Sequence, residues 1–433
     1  MNVLRRFLGF QGMAADTLDQ PGPKFPPEVW LNVFDHATHI PGAYTCDDGP
    51  AILAYAADQH GIALHSRHRE ATNTMLSASL VCKAWTPLAD EFLFRYILVK
   101  SGNHAIKIAT TLKHFADIRR RSSFPGRYAL RLELFLEGGH HWDSSHTIAL
   151  AIIFSLCPNI CVFSTAFMPV DAPFYCALFM TAMQVVGMRS SLRRLELKGH
   201  AALFGGVLPP LAPHLESLVL VPLYAMGYKS ELTFPNLRTF ALLDRWAIPI
   251  DDDDPNNYPV RTVTGPPFQM PVLRALHLPP NYPPDSDFFP TVAGQLEYLS
   301  AGGNVSSVLK LCDSLTEWTL PAVLFVLIDR ATFPSTLRVV NLDGGLAAFP
   351  LDRLAVWVTN RRGSALTTIR FLLPSGRRSG EITQDVRRVA ELFVRACIKC
   401  GVDIELAKGV DQHVSRSYVP GTVELLAAAL VAY

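Results

Sequence analysis

A surplus of charge of one sign is what this sequence most plainly lacks. It sets 39 lysines and arginines against 38 aspartates and glutamates in 433 residues, for a formal net charge of +1. No global field then draws the chain onto nucleic acid or an anionic membrane, and neither is expected as a partner. The basic run Arg119 to Arg121, with Arg127, reads as a solvated helix end. Cysteine is also scarce. The eight present lie mostly inside apolar runs, the pattern of buried, reduced thiols. The opening "MNVLRRFLGFQGM" has no long apolar core and no small-residue cleavage site, so the expected compartment is the cytosol or the nucleus. Long apolar runs are missing too. One stretch without charge, Ala172 to Met188, holds Pro173, Thr181, Gln184 and Gly187, and reads as a buried helix rather than a membrane span.

Catalytic signatures are equally absent. There is no GxxxxGK[ST] phosphate loop, no GxGxxG, no GxSxG nucleophile elbow and no HExxH. "CIKC" places Cys397 and Cys400 at metal-ligand spacing, but no second pair accompanies them, and structural zinc needs four ligands. They read as the core face of an amphipathic helix ending at Gly401. His140, His141 and His146 with Asp143 read as a loop entering a helix capped near Ser144 or Ser145. His60, His65 and His68 read as solvated. The run Asp251 to Asp254 reads as an exposed loop. The expectation is a non-enzyme with no cofactor and no metal.

What is present is a repeat. The pattern apolar-x-x-apolar-x-apolar occurs as "LRRLEL" from Leu192, "LESLVL" from Leu215, "LRTFAL" from Leu237 and "LRALHL" from Leu273. It returns as "LTEWTL" from Leu315, "LRVVNL" from Leu337 and "LTTIRF" from Leu366. Looser copies begin at Ala129, Ile160 and Leu296. The last two apolar positions lie two apart, so they share one face of a short strand. One such unit cannot bury its own apolar face, whereas stacked units can. Helical segments such as "SSHTIALAIIFSLCPN" fall between copies. This resembles the leucine-rich repeat family over about residues 128 to 406, without the consensus asparagine. The resemblance implies parallel strands inside and irregular helices outside.

Ahead of the repeats, "FPPEVWLNVF" spaces Val29, Trp30, Val33 and Phe34 as on a helix, with Pro26 and Pro27 at its start. "SLVCKAW" supplies Leu80, Val81 and Trp85 in the same manner. From pattern alone this is a short helical unit with much apolar surface, an interface or a cap for the repeats. The two pieces together resemble an F-box: Pro26, Glu28, Val29, Val33 and Phe34, then Leu80, Val81, Cys82, Lys83 and Trp85. Phe25 stands where the family has leucine. Phe34 and Val81 are 47 positions apart, about 30 more than a compact F-box uses. Such an insertion looks like that of F-box-like proteins of mushroom-forming fungi.

The resulting expectation is an α/β chain. Residues 1–24 form a flexible tail. Residues 25–100 form an F-box-like helical unit with an insertion at about 41–72. Residues 101–433 form an irregular leucine-rich-repeat-like solenoid. The resemblance implies an adaptor of a cullin ubiquitin ligase, docking a Skp-family protein through Phe25, Pro26, Pro27, Val29, Trp30, Val33, Phe34, Leu80, Val81, Cys82 and Trp85. Residues flanking the inward leucines would then face a target protein: Arg194, Glu196, Lys198, Ser217, His277, Tyr298, Glu317, Asn341 and Arg370.

Overall fold

A computed structural model describes residues 25–46, 62–118, 124–136, 141–168, 176–199, 201–222, 231–243, 268–279, 288–301, 309–321, 333–343, 350–361, 364–373 and 384–408. Residues 1–24, 119–121, 251–254, His60 and His140 lie outside the described residues.

Among the described residues three helices come first: α1 (Pro27–Thr38), α2 (Ile62–Val81) and α3 (Trp85–Leu93). Pro27 occupies the first turn of α1, where a missing N–H costs nothing, and Glu28 sits at the positive end of the helix dipole. The chain then alternates strand and helix: β1 (Tyr96–Val99), α4 (Gly102–Ile118), β2 (Arg131–Leu134), α5 (Ser144–Leu156), β3 (Val162–Ser164), α6 (Ala177–Gly187), β4 (Arg194–Gly199), α7 (Ala201–Leu211) and β5 (Ser217–Pro222). Next are β6 (Leu232–Thr233), β7 (Thr239–Leu242), β8 (Phe268–Gln269), β9 (Ala275–His277), α8 (Phe288–Val292), β10 (Tyr298–Ser300), β11 (Glu317–Pro321) and β12 (Val339–Asp343). The last described elements are α9 (Leu351–Asn360), β13 (Thr368–Leu373), α10 (Gln384–Cys400) and β14 (Asp403–Lys408).

Twelve of these strands form one parallel sheet in sequence order, while β6 and β8 pair with each other beside it. Every motif copy lands on a strand in the same register. One row of partners runs Leu132, Phe163, Leu195, Leu218, Phe240, Leu276, Leu299, Trp318, Val340, Ile369 and Ile404. This row points into a continuous apolar core shared with α4 to α7, α9 and α10. Parallel neighbours need a crossover, and the helices of those crossovers cover that one face of the sheet. The 172–188 stretch supplies α6, whose Phe179, Met183 and Val186 are buried there. α10 ends at Gly401, whose φ of +70° suits a residue without a side chain.

One local expectation is corrected. The cap of α5 is Asp143, not a serine. Its carboxylate accepts from the His146 N–H at 3.1 Å, and His146 Nδ1 accepts from the Asp143 N–H at 3.0 Å. A histidine thus fills the reciprocal position usually taken by glutamate. Residues 62–72 are helical and continuous with "SLVC". Among the described residues, no helix is long and apolar enough to cross a membrane.

Candidate interaction surfaces

The first surface belongs to the three-helix unit. Phe34, Met75, Ala78, Ala89 and Phe92 form its core, with Trp30, Leu31, Trp85 and Leu88 packed around them. Trp30 and Trp85 lie 4.4 Å apart between ring centroids, and Phe34 meets Trp85 edge-on at 5.3 Å. Among the residues expected to dock an adaptor, Phe34 and Cys82 are therefore interior, and Trp30, Leu80 and Trp85 are half-buried. Pro26 and Pro27 are exposed. So are Phe25 (59%), Val29 (41%), Val33 (46%) and Val81 (50%). Val29 and Val33 are one helical turn apart on α1 and so share one exposed stripe, and Phe25, which precedes the helix, lies edge-on to Trp30 at 6.0 Å between ring centroids. No described residue covers that stripe. Arg95 ties α1 to α3 by pairing with Asp35 and, at 3.3 Å, with Glu91.

The second surface is the sheet face opposite the helices. Over β1 to β5 it is closed. Residues 40–46 and the first turns of α2 lie on it, and Ile40, Ala43, Leu64, Tyr96, Phe167 and Val219 share a small second core. Under them lies an ion network built from a tetrapeptide that occurs twice, "RLEL" at 131–134 and at 194–197. Arg131 bonds Glu196 through both guanidinium ends, at 2.7 and 3.2 Å, and Glu133 at 2.8 Å. Arg194 meets Glu196 at 2.5 Å. The Tyr96 hydroxyl donates to Glu133 at 2.5 Å, and His65 Nε2 lies 2.6 Å from the same carboxylate. An ionised carboxylate only accepts, so His65 donates from Nε2.

The two arginines also hold the covering segment by its backbone. Arg131 donates to the Ala43 carbonyl at 3.4 Å, and Arg194 donates to those of Gly42 and, at 3.2 Å, Thr45. Burial would raise the carboxyl pKa values, but Arg131 and Arg194 overcome it and hold Glu196 at about 2. Burial likewise opposes ionisation of Glu133, yet Arg131 and His65 hold its pKa below the ordinary value. His68 stacks on Tyr96 at 4.1 Å, and burial pushes its imidazole down to about 4.

Six expected target-binding residues are therefore corrected, four here and, on the later strands, the buried Tyr298 and Asn341. Arg194, Glu196, Lys198 and Ser217 point to the predicted face but are buried, at 3% exposure or less. Lys198 donates to the Met168 carbonyl. His65 and His68, read as solvated, belong to the same covered region. The sequence reading missed Arg131, Glu133 and the 42–45 carbonyls. The doubled "RLEL" was the available signal.

Toward β11 to β14 the same face opens. Arg370 bridges three neighbours, donating to Glu405 at 2.8 Å, Asn341 at 3.2 Å and Glu317 at 3.3 Å. Asn341 also donates to Glu317 at 2.7 Å and to Thr319 at 3.0 Å, and Thr319 shares a hydrogen bond with Tyr298 at 2.7 Å. Tyr298 and Asn341 are buried in this layer, while Glu317, Arg370 and Glu405 keep 20%, 19% and 13% of their side chains exposed. His277 is half-buried to one side, and burial pushes its imidazole down to about 4. Cys397 faces the core and its thiol is pushed up to about 12 by burial, while Cys400 is half-buried. No group of three or more potential metal ligands occurs among the described residues.

No protein-family model matches the sequence, and no curated protein matches it.

Proposed function

We propose that this chain is a non-enzymatic target-recognition adaptor of a Skp–cullin–F-box type ubiquitin ligase. In this reading α1 to α3 are the F-box-like unit that docks a Skp-family protein. The strand-per-repeat sheet with helices on one face is a leucine-rich-repeat-like solenoid that holds a target protein. Tethering then raises the local concentration of target beside the ligase's other subunits.

The observation that carries the reading is the exposed apolar pair Val29 and Val33, with exposed Phe25 just before the helix, on a helix whose adjacent side packs Trp30 and Phe34 inward. Exposed apolar surface of that kind, on a small unit with a core of its own, fits a protein interface. One observation favours a second reading, an interaction scaffold with no ligase role. The insertion is built into the sheet through Arg131, Arg194 and His65, as a structural cap would be.

Co-purification with the organism's own Skp-family adaptor separates the two. The intact chain should retain the adaptor. A Val29→Asp, Val33→Asp variant should lose it with an unchanged circular dichroism spectrum, because both side chains are exposed and cost little to replace. An intact chain that retains no adaptor would leave the scaffold reading standing.

A further inference from the structure

We propose that the open part of the polar sheet face, β11 to β14, docks an extended, positively charged segment of a partner protein. This deepens the adaptor reading and rests on it only for calling that partner a target.

The closed part of the face demonstrates the mode of binding. There the chain seats a segment of itself. Arg131 and Arg194 point up from the strands and donate to the backbone carbonyls of Gly42, Ala43 and Thr45. The sheet supplies donors and the seated segment supplies acceptors. In the open part the polarity is reversed. Arg370 is the cation of these rows, and its Nε and Nη1 hydrogens are taken by Glu405, Glu317 and Asn341. Four carboxylates share the face with it.

Register places those carboxylates close together. Glu317 and Asp403 lie in the row Glu317, Val339, Thr368, Asp403. Glu405 lies in the next upward-facing row, after Thr319, Asn341 and Arg370, and Asp343 lies one row further along β12. Neighbouring strands are about 4.8 Å apart, so the group spans a few side chains. Among the described residues no hydrogen bond reaches Glu317 Oε2, Glu405 Oε1, or the carboxylates of Asp343 and Asp403. Asp343 and Asp403 are exposed. The surplus is therefore acceptor capacity and negative charge, which lysine or arginine satisfies and a polyanion does not. Thr319, Val339 and Thr368 keep the floor low, which suits an extended segment rather than a bulky helix.

The test uses the full chain and three fluorescent 12-residue peptides, alternating serine with lysine, glutamate or glycine, read by anisotropy. The lysine peptide should bind, and its affinity should fall with salt. Glu317→Gln with Glu405→Gln should weaken it at least tenfold. Those two residues also hold Arg370, so a second variant guards against local unfolding. Asp343→Asn with Asp403→Asn, both exposed, should weaken binding several-fold with unchanged circular dichroism. Asp352→Asn with Asp385→Asn, at the starts of α9 and α10, should leave binding as it was. Equal binding of the glutamate peptide, or lysine-peptide binding that ignores both face variants, overturns the proposal. The Val29→Asp, Val33→Asp chain should bind the lysine peptide normally, so failure of the ligase reading and failure of this one give different results.

Discussion

The two parts of the polar sheet face have the same backbone and similar chemistry, yet opposite fates. Over β2 and β4 two arginines and two glutamates are wholly covered by residues 40–46 and α2. Over β11 to β14 one arginine and its glutamates remain partly open to solvent. Position within a repeat decides which way a side chain points. It does not decide what is laid on top. In the covered part the ion pairs are internal structure, and their desolvation is offset by the charge-assisted bonds that join Arg131, Arg194, Glu133 and Glu196. In the open part water still helps to solvate each charge, so each pair contributes less.

The sharpest way to break this comparison is to remove one carboxylate from each part. Glu196→Ala leaves Arg131 and Arg194 buried beside a missing partner, and should cost about 3–5 kcal/mol of unfolding free energy. Glu405→Ala in the open part should cost about 1 kcal/mol or less. Urea unfolding of the two variants measures both. Equal costs would mean that the cover over β2 and β4 does not shield the network.

Acid should separate the two parts as well. His68 has its pKa lowered from 6.5 to about 4, so between those values the unfolded chain binds a proton that the folded chain does not. Its contribution is whole above pH 6.5 and drains away as the pH falls toward 4, by about 3 kcal/mol at the limit. Glu196 follows lower down. Its contribution is whole above pH 4.5 and is lost as the pH falls toward about 2. Amide hydrogen exchange should therefore quicken in residues 40–46 and 62–72 before it does in β11 to β14. A His68→Phe variant should erase the first stage, since it keeps the ring on Tyr96 without the proton.

These expectations depend on features that the sequence shows unevenly. The sheet was readable because each motif copy puts two apolar residues two apart and one three earlier, and parallel stacking needs nothing more. Leu195 with Leu197, and Trp318 with Leu320, were placed correctly on that ground alone. The end strands were harder. β1 follows the rule through Phe94, Ile97 and Val99, but Tyr96 and Leu98 between them are also large, which hides the alternation. β14 has Gly401 where the leading apolar residue belongs.

The covered region was unreadable for a different reason. A buried salt bridge and a solvated one use the same letters. α2 presents Leu64, His65, His68, Ala71, Met75 and Ala78 at helical spacing, and the two histidines interrupt what is otherwise an apolar stripe. They do so because the strand face beneath them carries Glu133 and Tyr96. On α1 apolar residues occupy more than one side, so the pattern predicted a helix but not which side would stay exposed.

The smallest effect tests the covering segment itself. Gly42 has a φ of +70°, a conformation that residues with a side chain adopt at a cost. Gly42→Ala should therefore cost about 1 kcal/mol. Gly401 has the same φ of +70° at the end of α10, and a Cβ added there meets nothing within 4 Å. Gly401→Ala should carry a similar backbone cost without touching the polar face. The two variants differ in what the strained residue holds in place. Gly42 offers its carbonyl to Arg194, so its variant alone should quicken hydrogen exchange in residues 40–46 and loosen the Arg194–Glu196 pair beneath. If Gly401→Ala produces the same change in residues 40–46, that segment responds to overall stability and is not held by the arginines. If only Gly42→Ala does, the closed part of the face is kept closed by the backbone carbonyls that Arg131 and Arg194 hold.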